Sequence, residues 1–223
     1  MSKKPELIIF DINETLLDME PLKKAIEDEL GTERASELWF LNLLKYAMIE
    51  SLTGSYVSFD ELGAAVLKML ADRFGKSLTD KRSEEIMNMI TSLPAHDDVA
   101  DTLQTLRKEG YKLVALTNGS EVTLKKQLKN ADLLNLFDSY YSVESVQKYK
   151  PHPDTYHYVL SAMQTDPEKS MMVAAHAWDI YGAQKSGLQT AFIKRPGNAL
   201  YPLQNKPQWV VKDLKEFKDQ LLK

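Results

Sequence analysis

The chain has 223 residues, of which 43% are hydrophobic, a formal net charge of -4 and an isoelectric point near 5.7. That length and apolar fraction support one large domain, or one domain carrying a smaller insertion. Mild acidity with scattered Lys and Arg gives no basic field for a phosphate backbone, which excludes nucleic acid as an expected partner, and the absence of cysteine removes disulfides, zinc-thiolate sites and thiol nucleophiles together. The first apolar run, Leu7-Ile8-Ile9-Phe10, reads as a short buried strand ending at Asp11. It is too short for a secretory signal or a membrane span, so a cytoplasmic protein without a membrane partner is expected.

The next stretch with strand character is Lys112 to Leu116, roughly a hundred residues on. Between them Ala35, Leu38, Trp39, Leu43, Ala47 and Ile49 recur at three- and four-residue steps, as do Leu62, Ala65, Val66, Met69 and Phe74. This pattern predicts a mostly helical insertion, broken at Thr53-Gly54-Ser55 and Gly75-Lys76-Ser77, with Ser58 or Asp60 capping its second helix. After Pro94 the chain alternates: helix Asp98 to Glu109 ended by Gly110, strand, helix Glu121 to Lys129, strand Tyr140 to Val143 and helix Pro153 to Met163. Strand Met171 to Ala175, helix Tyr181 to Ser186 and strand Thr190 to Ile193 follow, then a loop, a possible edge strand Trp209 to Val211 and a closing helix Leu214 to Leu222. Short strands separated by helices predict an α/β fold with a parallel sheet and helices on both faces.

Four polar groups then fall at or beyond the carboxyl ends of separate strands: Asp11, Thr117-Asn118-Gly119, Lys150-Pro151, and His176 to Asp179. In a parallel sheet these ends converge on one crevice. Asp11 is the candidate nucleophile, able to attack carbon or phosphorus and give an intermediate that water hydrolyses. Thr117 and Asn118 are candidates to hold an oxyanion or a substrate carboxylate, and Lys150 to orient Asp11 and offset negative charge. Asp179 is a candidate partner for Lys150 that helps direct the water. Each also has a plain structural alternative, as a turn or helix cap, a solvated lysine, or an acidic residue favoured at a helix start.

These segments resemble the four motifs of the haloacid dehalogenase superfamily: Asp11 to Thr15, Leu116 to Gly119, Lys150-Pro151, and the segment ending in Asp179. More narrowly the chain is similar to the type II L-2-haloacid dehalogenase branch. The similarity runs through Phe10-Asp11 with Thr15-Leu16 and Asp18, Leu38-Trp39, Leu52-Thr53-Gly54 with Tyr56-Val57 and Phe59, Lys150-Pro151 with Pro153 and Tyr156, and Ala177-Trp178-Asp179 with Gly182-Ala183. The resemblance implies a Rossmann-like core, residues 1–15 and 95–223, with residues 16–94 as a helical cap over the crevice. It implies catalytic roles for Asp11, Thr15, Thr117, Asn118, Lys150 and Asp179, halide displacement from a small 2-haloacid through an Asp11 ester, no required metal, and a homodimer among the association states of the branch.

The departures are as informative. Phosphatases of the superfamily carry a second Asp two residues after the nucleophile, and here that position is Asn13, whose amide cannot donate and recover a proton. This disfavours the alternative of a magnesium-dependent small-molecule phosphatase, in which Asp11, the Asn13 carbonyl and Asp179 would hold the ion; a non-catalytic metabolite- or protein-binding member is the other alternative. The dehalogenase branch has an arginine directly after Leu-Trp, and this chain has Phe40, which offers no charge and no fork of donors. His176 stands in the fourth motif, where a neutral imidazole would activate water, a protonated one would bind leaving halide, and the bland reading is a bond to a neighbouring backbone group. By resemblance Asn13, Phe40, Leu44, Phe59 and Trp178 line the substrate crevice, an apolar wall suited to a small substrate.

Overall fold

A computed structural model describes residues 4–223; the first three residues of the expected core segment lie outside the described residues. Its centre is a six-stranded, wholly parallel sheet: β1 (Leu7–Phe10), β2 (Lys112–Thr117), β3 (Ser139–Ser142), β4 (Ser170–Ala174), β5 (Gln189–Ile193) and β6 (Trp209–Val211), in the order β3-β2-β1-β4-β5-β6. Phe10 stands between Ala115 of β2 and Val173 of β4, so the strand order reverses beside β1. A crevice opens outside the carboxyl ends of the strands at such a reversal, and Asp11 is the first residue past the end of β1.

Strand residues alternate between two apolar layers. Ile8, Phe10, Leu113, Ala115, Met171 and Val173 face one core, and Leu7, Ile9, Val114, Leu116, Met172 and Ala174 face the other. Helices α5 (Val99–Lys108), α6 (Glu121–Asn130) and α9 (Leu214–Leu221) cover the first face through residues such as Leu103, Leu128 and Phe217. Helices α7 (Pro153–Met163) and α8 (Ala177–Lys185) cover the second through Tyr156, Val159 and Ile180. Both faces being buried explains why the strands read as continuous apolar runs rather than alternating ones.

Between β1 and α5 the chain makes four α-helices, α1 (Glu20–Leu30), α2 (Ala35–Thr53), α3 (Phe59–Arg73) and α4 (Asp80–Asn88). It leaves and returns at one place, where Asp18 N–H donates to Pro94 O at 2.8 Å and His96 N–H to Leu16 O at 2.9 Å. Ser58, one of the two expected caps, starts α3 with a full capping box to Glu61, satisfying helix-end donors reciprocally. Trp39 and Gly63 tie α2 to α3 through an indole N–H to carbonyl bond of 2.9 Å.

Three details differ from the sequence reading. Helices α1 and α4 have no counterpart among the patterns read individually, because their buried stripes are thin: Leu22, Ile26 and Leu30 in α1, Ser83 and Ile86 in α4. Ile49 and Met69, assigned to the apolar periodicity of α2 and α3, are exposed. Helix α8 begins at Ala177, not Tyr181; His176 is extended and its carbonyl accepts from Ile180 N–H at 3.1 Å, so the helix starts where the strand-end loop closes.

Candidate active site

The polar candidates arrive from beyond the ends of four strands, β1 to β4. Asp11 is held at the mouth of the crevice by its own N–H, which donates to Val173 O at 3.1 Å. Its Oδ1 lies 2.7 Å from Lys150 Nζ, while Oδ2 accepts from Thr15 Oγ1 at 2.7 Å and lies 3.1 Å from His176 Nδ1. Burial opposes the charge, but the Lys150 ammonium and the His176 ring outweigh it and hold the Asp11 carboxyl well below the usual carboxylate range. The carboxylate is therefore anionic at neutral pH.

Lys150 is 1% exposed, and its backbone N–H donates to Asn118 Oδ1 at 2.9 Å. Its ammonium sits 2.7 Å from both Asp11 Oδ1 and Asp179 Oδ2, with Leu116 O at 3.4 Å as a third acceptor. Those three acceptors match its three donors. Burial disfavours the ammonium, yet the two carboxylates raise its pKa overall. Tyr156 Oη completes the arrangement by donating to Asp179 Oδ1 at 2.6 Å. Asp179 has no solvent exposure and each of its oxygens is engaged, so it braces Lys150 from behind.

The same arrangement decides the fit of magnesium. The two carboxylates that would ligate it, Asp11 and Asp179, already share one ammonium at hydrogen-bond distance, and their remaining oxygens serve Thr15, His176 and Tyr156. A hard cation seeking about six oxygens in octahedral array would have to displace the Lys150 ammonium that stands between the two carboxylates.

Above Asp11 lies a small cavity of about 20 Å³. Asn13, Phe40, Leu44, Phe59 and Trp178 all line it, together with Asp11, Thr117, Asn118, Lys150 and His176; Thr15 and Asp179 are buried outside that lining. Thr117 Oγ1 accepts from Gly119 N–H at 3.1 Å, which leaves its hydroxyl hydrogen to donate. Asn118 spends its Oδ1 on Lys150, which leaves its NH₂ to offer a substrate. Asn13 Oδ1 accepts from Gln127 Nε2 at 2.8 Å, and the same amide donates to Ile90 O at 2.9 Å, so Asn13 is fixed between core and helical insertion.

His176 corrects one expectation. Its Nδ1 faces Asp11 and its Nε2 lies 2.7 Å from Glu14 Oε2, so neither nitrogen serves a neighbouring backbone group. Burial would lower its pKa, but hydrogen bonds to the two carboxylates push it up to about 9. Two flanking carboxylates favour the imidazolium over the neutral ring at neutral pH. It stacks on Trp178 with ring centroids 5.1 Å apart and lies 5.4 Å from the Phe40 ring. At position 40, where the resemblance implied an arginine, the chain sets an aromatic ring against His176.

Glu14 is the residue that sequence reasoning missed. It adopts a left-handed φ of 63°, pairs with Lys23 and His176, and its carboxyl, despite burial, is held down at about 2 by those partners. The only sequence signal was a carboxylate three residues past Asp11, since its histidine partner lies 162 positions away. Tyr156 was visible only as a motif residue, without its bond to Asp179.

The chain matches the family model for haloacid dehalogenase-like hydrolases over residues 5–187. It is 30% identical over 217 residues to an (S)-2-haloacid dehalogenase of Pseudomonas putida, covering 96% of each chain. Among solved structures it resembles an L-2-haloacid dehalogenase with a TM-score of 0.93 and 25% identity, covering 99% of this chain and 100% of that one. A second, a dehalogenase with an intermediate complex, gives a TM-score of 0.90 and 28% identity over the whole of both chains. Sheet order, strand-end chemistry and likeness along nearly the full length agree, and the chain belongs to the haloacid dehalogenase-like hydrolase family.

Proposed function

We propose that this hydrolase displaces a leaving group, halide above all, from carbon 2 of a small organic acid through an Asp11 ester, without a metal. The observation that carries the reading is an anionic Asp11 with its Oδ1 2.7 Å from Lys150 Nζ, facing a small cavity walled by Phe40, Leu44, Phe59 and Trp178. Asp11 forms a bond to the substrate carbon as the carbon–halogen bond breaks, the electron pair leaving with the halide. The aromatic wall keeps water away during that displacement. The Thr117 hydroxyl and Asn118 NH₂ hold the substrate carboxylate, and Lys150 keeps the nucleophile ionised and aimed.

Helices α1 to α4 act in this reading as a cap that supplies Phe40, Leu44 and Phe59 to the cavity. Exposed Leu41 and Leu52 on α2 offer the surface for a homodimer, which sedimentation tests. The phosphatase alternative lacks a general acid, since Asn13 is an amide already bound to Gln127.

The test is halide release from a panel of (S)- and (R)-2-chloro-, bromo- and fluoroacids. Release by the wild type, lowered at least roughly 10⁴-fold by Asp11→Asn, is the expected result. No release from any member, or full release by Asp11→Asn, would overturn the reading.

A further inference from the structure

The two oxygens of Asp11 are not equivalent. Oδ1 meets Lys150 Nζ at 2.7 Å, whereas Oδ2 takes two donors, Thr15 Oγ1 at 2.7 Å and His176 Nδ1 at 3.1 Å. Both donors are fixed from behind. Ala175 N–H donates to Thr15 Oγ1 at 2.9 Å, which turns the hydroxyl hydrogen toward Asp11, and His176 Nε2 is anchored 2.7 Å from Glu14 Oε2. Glu14 reaches that position from a left-handed φ of 63°, a conformation uncommon for a residue with a Cβ. Strained backbone held in place by its surroundings points toward a functional constraint.

Resting on the ester reading above, we propose that His176 and Thr15 form the oxyanion cradle for hydrolysis of the Asp11 ester, with Glu14 as the positioning residue that aims the His176 Nδ1–H at Oδ2. The assignment fixes the part played by each oxygen. Oδ1 attacks and becomes the ester oxygen; Oδ2 remains the carbonyl oxygen between its two donors. Water then adds to Cγ, the π pair of the Cγ–Oδ2 bond moves onto Oδ2, and one proton of the water passes to solvent. Collapse re-forms the carbonyl and breaks the Cγ–Oδ1 bond, and the pair departs with the product oxygen. That oxygen takes the second proton of the water and leaves as the hydroxyl of a 2-hydroxy acid. Asp11 is regenerated as a carboxylate carrying one solvent oxygen. The charge that develops on Oδ2 meets donors already in place, so little reorganisation is needed at the moment of reaction.

The surroundings of His176 support a lasting positive charge. Asp11 at the end of β1 and Glu14 in the following turn flank the ring; Lys23 of α1 pairs with Glu14, and Lys150 lies behind Asp11. Glu37 of α2 lines the adjoining cavity, while the rings above and below, Phe40 and Trp178, carry no charge.

Rapid-quench turnover of a 2-haloacid separates the two steps, with halide measured for alkylation and intact-protein mass for the ester. His176→Gln should keep a halide burst yet accumulate the ester, with its breakdown slowed about 100-fold, as for loss of one oxyanion donor. Glu14→Gln, which leaves His176 in place, should make ester breakdown fall off at a lower pH than in the wild type while the burst keeps its pH profile. Unchanged ester breakdown in His176→Gln, or a wild-type pH profile in Glu14→Gln, would overturn the cradle while leaving the ester standing. If His176→Gln misfolds and shows no burst, the Glu14→Gln profile decides. No ester in any of the proteins would instead overturn the underlying reading, and the cradle with it.

Discussion

At the level of single residues the pair Glu14–His176 couples stability to pH in both directions. The Glu14 carboxyl is held down at about 2 against its ordinary 4.5. Its contribution is complete above pH 4.5 and is lost as pH falls toward 2. The His176 ring is pushed up to about 9 from 6.5, so its contribution is complete below pH 6.5 and is lost as pH rises through 9. Thermal melts across pH should show a wild-type decline between those alkaline limits that His176→Gln flattens. An identical alkaline decline in the variant would place the titrating group elsewhere. Asp11, Thr117, Asn118 and Lys150 were legible in the sequence because each sits at or beyond a strand end with a residue type that carries its chemistry, whereas Phe40, Leu44 and Phe59 came only with the resemblance. The charge state of His176 was not, because it depends on Glu14, a partner that no local pattern connects to it.

At the level of elements, the approach of α8 to the Lys150-Pro151 segment sets the geometry beneath the site. A Cβ at Gly182 would meet Pro151 Cβ at 2.4 Å, the Tyr156 hydroxyl at 2.7 Å and Pro151 Cα at 2.9 Å. Gly182→Ala must therefore shift the segment that carries Lys150, or the tyrosine that braces Asp179. We expect a loss of about 1–3 kcal/mol in denaturant unfolding, as for core overpacking, together with reduced halide release. A fully stable, fully active variant would show that the contact has slack. Strands were legible to within a residue or two because runs such as Leu113 to Leu116 are buried on both faces. Helices α2 and α3 were legible through their apolar periodicity. Helices α1 and α4 were not, since their burial depends on packing against other helices, and α8 was shortened because Ala177, Trp178 and Asp179 read as a loop motif rather than a helix start.

Across the whole molecule, the helical insertion is tied to the sheet domain at several points around the cavity. Thr123 Oγ1 donates to Asp60 Oδ2 at 2.9 Å, Tyr149 N–H to Ser51 Oγ at 2.8 Å, and Asn130 Nδ2 to Thr91 O at 2.7 Å. These contacts set the insertion's α2 and α3 residues over Asp11, so the candidate nucleophile on one element and its aromatic wall on others meet in one small space. That convergence was legible in outline, because a parallel sheet gathers its carboxyl ends on one side. The central claim is that Asp11 itself is esterified and is regenerated by water attacking its own carboxyl carbon. Multiple turnovers of a 2-haloacid in ¹⁸O-labelled water, followed by mass analysis of the peptide carrying Asp11, test it directly. The account predicts heavy oxygen in the Asp11 side chain; turnover with label only in the product would contradict it, since water would then have attacked the substrate directly.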